Sequence, residues 1–239
     1  MHSRRLRTAA AALLCLAAQL ASAAELRVLS AGAIEPGLRP VLAEFERSSG
    51  HSVKLSFATA PQIREKARAG AEFDVVIAPP AVLDELDAAH KLDPDRARRV
   101  TLGRVGIGVA VRPGAPLPDI TSADAFKRSL QEADTLVFNR ASTGLYLETL
   151  LTRLAIAPKA VVRYPDGAAV MEHVLHGQGR EIGLGAITEI RLLRDKGLQF
   201  VGPLPPGLQN ETVYRAAAAP GENAAARALL VHLASAPSR

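Results

Sequence analysis

The chain has 239 residues, 48% of them hydrophobic, enough to build one large or two small α/β domains around a full core. Its formal charge of +5 includes Arg4, Arg5 and Arg7; without those three it is +2, with bases and acids interspersed, which excludes a nucleic-acid footprint. The one cysteine, Cys15, lies within the first apolar run, so the rest of the chain has neither disulfide nor thiol chemistry.

The first 23 residues read as a signal peptide, with basic Arg4, Arg5 and Arg7, an apolar run over 9–16, and the small-residue site Ala21-Ser22-Ala23. Leucines flank Cys15 on both sides, which does not fit a lipoprotein site. Export to the periplasm is therefore expected. No later apolar run approaches the ~20 residues that span a bilayer.

The exported part alternates strands and helices. Residues 25–30 form a short strand that turns at Ala31-Gly32-Ala33 into a helix over 36–49, with Leu38, Val41, Leu42 and Phe45 at helical spacing. A strand over 52–57 leads to a helix over 62–69, which Gly70 terminates. Residues 73–78, Phe-Asp-Val-Val-Ile-Ala, make a near-continuous apolar strand suited to the centre of a parallel sheet, and Pro79-Pro80 opens a helix over 81–89. The glycine-rich strand 104–112 marks a crossover into a second lobe. There the pattern predicts helices over 122–130, 143–154 and 168–175, and strands over 135–138, 161–164 and 181–184. Strands 199–203 and 211–219 carry the chain back to a terminal helix over 223–234. The expected fold is α/β, with two hinge-linked lobes, each a mainly parallel sheet flanked by helices. Lobe 1 spans 24–108 plus 201–239, and lobe 2 spans 109–200.

Four turns follow a strand and open a helix. They are Ser30-Ala31-Gly32-Ala33, Ala58-Thr59-Ala60-Pro61, Arg140-Ala141-Ser142-Thr143-Gly144 and Tyr164-Pro165-Asp166-Gly167. Small and hydroxyl residues at a helix start leave N–H groups available, and with the helix dipole they suit an anion. Any one such turn is also an ordinary N-cap; two per lobe, across a crossover, point to a shared anion cleft. Arg140 stands at the carboxyl end of a strand, where α/β ligands sit, and its fork matches a carboxylate; Arg64 lies one turn into the helix after Thr59. His173 and His176 sit three apart on one helix with no third ligand indicated, and Ser142 lacks a nucleophile-elbow setting. Tyr146, Asp166 and Glu189 are the groups able to shuttle a proton if the cleft binds an activated acid.

Three stretches resemble the molybdate-type periplasmic solute-binding proteins of ABC importers. These are residues 26–38 (Leu-Arg-Val-Leu-Ser-Ala-Gly-Ala-Ile-Glu-Pro-Gly-Leu), the F-x-T-x-x-Q-I-x-x-K-A-x-x-G-A-x-F-D-V-V-I-A run over 57–78, and Ala-Ser-Thr-Gly-Leu-Tyr over 141–146. The resemblance implies two α/β lobes closing on a small anion, an ABC permease as partner, a monomer, and no cofactor, metal or catalytic residue. It places ligand contacts at Ala33, Thr59, Ser142, Thr143, Gly144 and Gly167, to which the strand-end argument adds Arg140. The departures are a missing hydroxyl at Ala33, one hydroxyl at Thr59-Ala60, and Ala186 near the place of a late tyrosine. Lost donors leave a metal oxyanion under-satisfied by about 1–3 kcal/mol each, which favours an organic carboxylate. The same fold also resembles the aconitate isomerases, which move a double bond in a tricarboxylate; a periplasmic isomerase is the alternative.

Overall fold

A computed structural model describes residues 23–235; the basic and apolar parts of the signal-like segment, including Cys15, lie outside them. Nine strands form one ladder in the order β2-β1-β3-β9-β4-β7-β5-β6, with β8 paired to β4 beside this path. The strands are β1 (Glu25–Ala31), β2 (Ser52–Ala58), β3 (Val75–Ala78), β4 (Val100–Val111), β5 (Thr135–Asn139), β6 (Val161–Tyr164), β7 (Glu181–Ala186), β8 (Gln199–Pro203) and β9 (Glu211–Ala218). Among the described residues eight α-helices flank them. These are α1 (Glu35–Ser49), α2 (Ala60–Arg68), α3 (Pro80–Ala88), α4 (Ala123–Glu132), α5 (Ser142–Arg153), α6 (Gly167–His176), α7 (Ile187–Leu192) and α8 (Ala224–Ala234).

Strand periodicity explains the layers. In lobe 1, Leu26, Val28, Val75 and Ile77 point to α1 and α8, where Leu38, Leu42, Phe45, Leu229 and Leu230 cover them. Their neighbours Leu29, Ala31, Val76 and Ala78 point the other way, against Ile63 of α2 and Val82, Leu83 and Leu86 of α3. A sheet covered on both faces needs continuous apolar strands, and 75–78 is fully buried. Lobe 2 repeats the scheme. Val109, Val111, Leu136, Phe138 and Leu184 meet Phe126, Leu130, Leu147 and Leu150 of α4 and α5. On the opposite face Ala110 and Val137 meet Val170, Met171 and Val174 of α6 and Ile190 of α7.

The β1-β2, β1-β3, β5-β6 and β5-β7 pairs are parallel, whereas β4, β8 and β9 join antiparallel. β4 is shared: residues 100–106 pair with β9, and 107–110 pair with β7. β8 pairs with the lobe 2 part of β4, so the chain returns to lobe 1 through residues 204–210. The Gln209 amide holds this crossing, accepting from the Ile107 N–H (2.8 Å) and donating to the Ile107 carbonyl (2.9 Å). Tyr146 of α5 adds a hydroxyl bond to the Leu208 carbonyl at 2.7 Å.

Candidate functional site

In both lobes the parallel strands end at the same edge, so the turns after β1, β2, β5 and β6 face one another across the crossing. They enclose a cavity of about 270 Å³, lined from lobe 1 by Gly32, Ala33, Thr59, Ala60, Gln62 and Tyr214, and from lobe 2 by Ser142, Thr143, Asp166, Gly167 and Glu189. The lobes also touch directly beside it, where the Thr188 hydroxyl of α7 donates to the Ala33 carbonyl.

The donors come from helix starts. At α5, buried Asn139 accepts with one side-chain oxygen from the N–H groups of Ala141 and Gly144, both at 3.0 Å. That leaves Ser142 and Thr143 at the open end of the first turn, facing the cavity. At α6, the Asp166 carboxylate caps the Ala169 N–H at 2.9 Å, leaving the first turn at Gly167 and Ala168 toward the cavity. At α2, the Thr59 N–H donates to Gln62 Oε1 at 2.8 Å. A helix start presents both N–H groups and a positive partial charge, so such turns from opposite sides receive an oxyanion without a cation.

Of the candidate residues, Ala33, Thr59, Ser142, Thr143 and Gly167 meet at the cavity. Gly144 lies buried behind the lining, where a Cβ would fall 1.6 Å from the Asn139 carbonyl oxygen, so its role here is close packing of helix on strand. Arg140 is outside the lining and exposed; its N–H donates to the Tyr164 carbonyl at 2.8 Å. Arg64 is turned to Glu85, its Nε 2.8 and 2.9 Å from the two carboxylate oxygens. Tyr146 serves the crossing, and His173 shares a 2.7 Å hydrogen bond with the Tyr164 hydroxyl, neither of the two being a lining residue.

Among the described residues no lysine or arginine lines the cavity, while four acids do: Glu35, Asp166, Glu172 and Glu189. Three have partners. Arg39 holds Glu35, Lys196 holds Glu172 at 2.9 Å, and Asp166 caps α6. Glu189 has no ion pair among the described residues, and its Oε2 is sealed from solvent with no hydrogen-bond partner. It lies over Gly167, where any Cβ would fall 1.8 Å from that oxygen, and faces Gly32 of the other lobe. Burial pushes the Glu189 carboxyl up to about 7; the Ala186 N–H opposes this, and the nearby negative charges of Asp166 and Glu35 add to it. Tyr214 of β9 is also buried, and burial, with the Glu189 charge, holds its phenol above the usual tyrosine range.

The family of bacterial extracellular solute-binding proteins matches residues 26–239. The chain belongs to that family. An aconitate isomerase from a Pseudomonas species is 34% identical over 222 residues, covering 88% of this chain and 82% of the relative. The periplasmic molybdate-binding protein of Azotobacter vinelandii superposes with a TM-score of 0.72 at 18% identity, covering 89% of this chain and 94% of that one. A tungstate ABC transporter protein from Geobacter sulfurreducens gives 0.67 at 16% identity, covering 90% and 95%. The fold is the one those periplasmic binding proteins share.

In this solute-binding protein three site residues lie outside the helix-start turns, and of these the sequence marks only Glu189, as a proton-shuttle candidate. Asn139 ends an apolar strand and reads as a turn residue, yet it organises the α5 start. Tyr214 sits in an alternating strand and reads as core. Glu189 is carried by α7, whose six residues are too few to show helical periodicity.

Proposed function

We propose that this solute-binding protein captures a small unsaturated organic polycarboxylate between its lobes and moves the carbon–carbon double bond, an aconitate-type isomerisation that needs no cofactor. The observation that carries this reading is Glu189: a carboxyl inside the cavity, unpartnered at Oε2, with both protonation states accessible near neutral pH. In a site that only held an anion, such a group would repel the ligand whenever ionised. In an isomerase it is the proton carrier. The carboxylate takes a proton from the carbon next to the double bond, and the electron pair delocalises over the allylic system and its carboxylate. The same carboxyl then returns the proton to the far carbon, so atoms and charge balance without an oxidant or reductant. The N–H groups at the starts of α5 and α6 hold the substrate carboxylates. The 34% identical aconitate isomerase supports the substrate class, and the signal-like N-terminal pattern supports action in the periplasm.

A second reading is capture without chemistry, for delivery to an ABC permease. The cation-free, N–H-rich lining and the likeness to the molybdate-binding protein favour it. One experiment separates the two. The protein is incubated with cis- or trans-aconitate in deuterated buffer, and the alkene and methylene signals are followed by NMR. Interconversion with deuterium entering the allylic positions, abolished in Glu189→Gln, is the expected result. Saturable shifts without interconversion overturn the isomerase reading and leave the receptor. Stabilisation by molybdate or tungstate alone would assign the cleft to a metal oxyanion.

A further inference from the structure

We infer that Tyr214 donates its hydroxyl to the bound carboxylate across the cavity from Glu189, and is a catalytic residue of the proposed isomerisation. The inference rests on the ligand class proposed above. Tyr214 and Glu189 line the same cavity from opposite lobes, Tyr214 on β9 and Glu189 on α7. When a base removes a proton from carbon, negative charge moves through the conjugated system to a carboxylate oxygen remote from the base. A donor is needed on that far side, and among the described residues no cation lines the cavity to supply it.

Several features aim the phenol. The β4–β9 register shifts between Thr101 and Gly103, and Gly103 is the partner of Tyr214. The extra residue, Leu102, is on β4, so Tyr214 stands opposite a glycine that offers no side chain to crowd the phenol. Tyr214 is 6% exposed and belongs to the apolar cluster that holds Leu29, Ala31, Ala58 and Ala78. Thr212 lies within hydrogen-bonding reach of the Tyr214 oxygen, and a phenol can accept from one neighbour while donating its own proton to another. Burial beside the Glu189 charge keeps the phenol neutral, as a donor must be. Because donor and base belong to different lobes, the pair is complete only when the lobes meet.

The test compares wild type with Tyr214→Phe, which removes one oxygen and keeps the ring. Affinity is measured by calorimetry with propane-1,2,3-tricarboxylate, a saturated probe without a double bond to move, and turnover with cis-aconitate. The expected results are a Kd raised roughly fivefold and a kcat lowered about 10²-fold with KM changed far less, the usual cost of losing one oxyanion donor. Turnover by wild type with kcat and Kd both unaltered in Tyr214→Phe overturns the role of Tyr214 and leaves the isomerase reading intact. A wild type that binds the probe without turning over aconitate ends the isomerase reading and the catalytic role together; the contact with Tyr214 then stands if Tyr214→Phe weakens binding and falls if it does not. Should the variant fail to fold, ¹³Cζ-tyrosine labelling of the wild type decides the contact, since the chain has three tyrosines. Tyr146→Phe and Tyr164→Phe assign the signals. The Tyr214 signal must move on adding the probe, and a signal that stays put overturns the inference.

Discussion

Replacing Glu189 by glutamine should change how stability depends on pH, with a sign fixed by burial. The carboxyl goes from 4.5 in the unfolded chain to about 7 in the folded one. A raised carboxyl binds its proton more tightly when folded, so its contribution is fully present below 4.5 and is lost as pH rises through 7. At about 1.36 kcal/mol per pH unit, wild type forfeits about 3 kcal/mol between pH 4.5 and pH 8 that Glu189→Gln, neutral throughout, retains. Urea unfolding of both proteins at the two pH values measures this directly. The stability of Glu189→Gln relative to wild type should rise by about 3 kcal/mol from the acid to the alkaline condition. Titrating groups not coupled to Glu189 are common to both chains and cancel in the comparison, whereas the coupling to Asp166 and Glu35 is part of the difference read. A relative stability that does not change with pH would mean that Glu189 reaches solvent or a counter-ion when folded. The proton-carrier argument would then lose its physical basis.

Three more substitutions probe the parts around it. Gly144→Ala drives a methyl group to within 1.6 Å of the Asn139 carbonyl and should lower stability by about 3 kcal/mol in denaturant unfolding; a neutral result would show that the α5 start is not packed on β5 as described. Gln209→Ala removes both side-chain bonds to Ile107 and should lower stability by about 2 kcal/mol, with earlier hydrogen exchange at the Ile107 amide. Thr188→Val deletes the hydroxyl that α7 offers to Ala33, so the closed arrangement should lose about 1 kcal/mol, read as a roughly fivefold faster ligand release.

Much of the architecture is legible in the chain because its elements are regular. Residues 73–78 read as a buried strand and form one over Val75–Ala78, and the apolar spacing of Leu38, Leu42 and Phe45 marks the buried face of α1. Helix-start chemistry likewise identifies the turns that meet at the cavity, since small and hydroxyl residues there act locally. What escapes local reading depends on the opposite lobe or on the direction of a side chain. Arg140 follows directly on β5, but its neighbours Asn139 and Ala141 are buried while it is exposed. β4 begins at Val100, earlier than the glycine-rich run from 104, because its first residues find their partner in β9, more than a hundred positions away. The character of Glu189 is likewise non-local: Gly167 supplies the room, and Asp166 and Glu35 supply charge from other elements.

The position of β9 imposes an order of assembly. Residues 107–203 are continuous in sequence and contain every strand of lobe 2, whereas lobe 1 is built from both ends of the chain. β9 lies between β3 and β4, so Val75–Ala78 stays an open apolar edge until residues 211–218 have arrived to cover it. A chain emerging from its N-terminus therefore completes the second lobe while its earliest strands still await their partner. Interruption after β8 would leave that edge free to template aggregation, which ties the fate of the first-made residues to synthesis of the last.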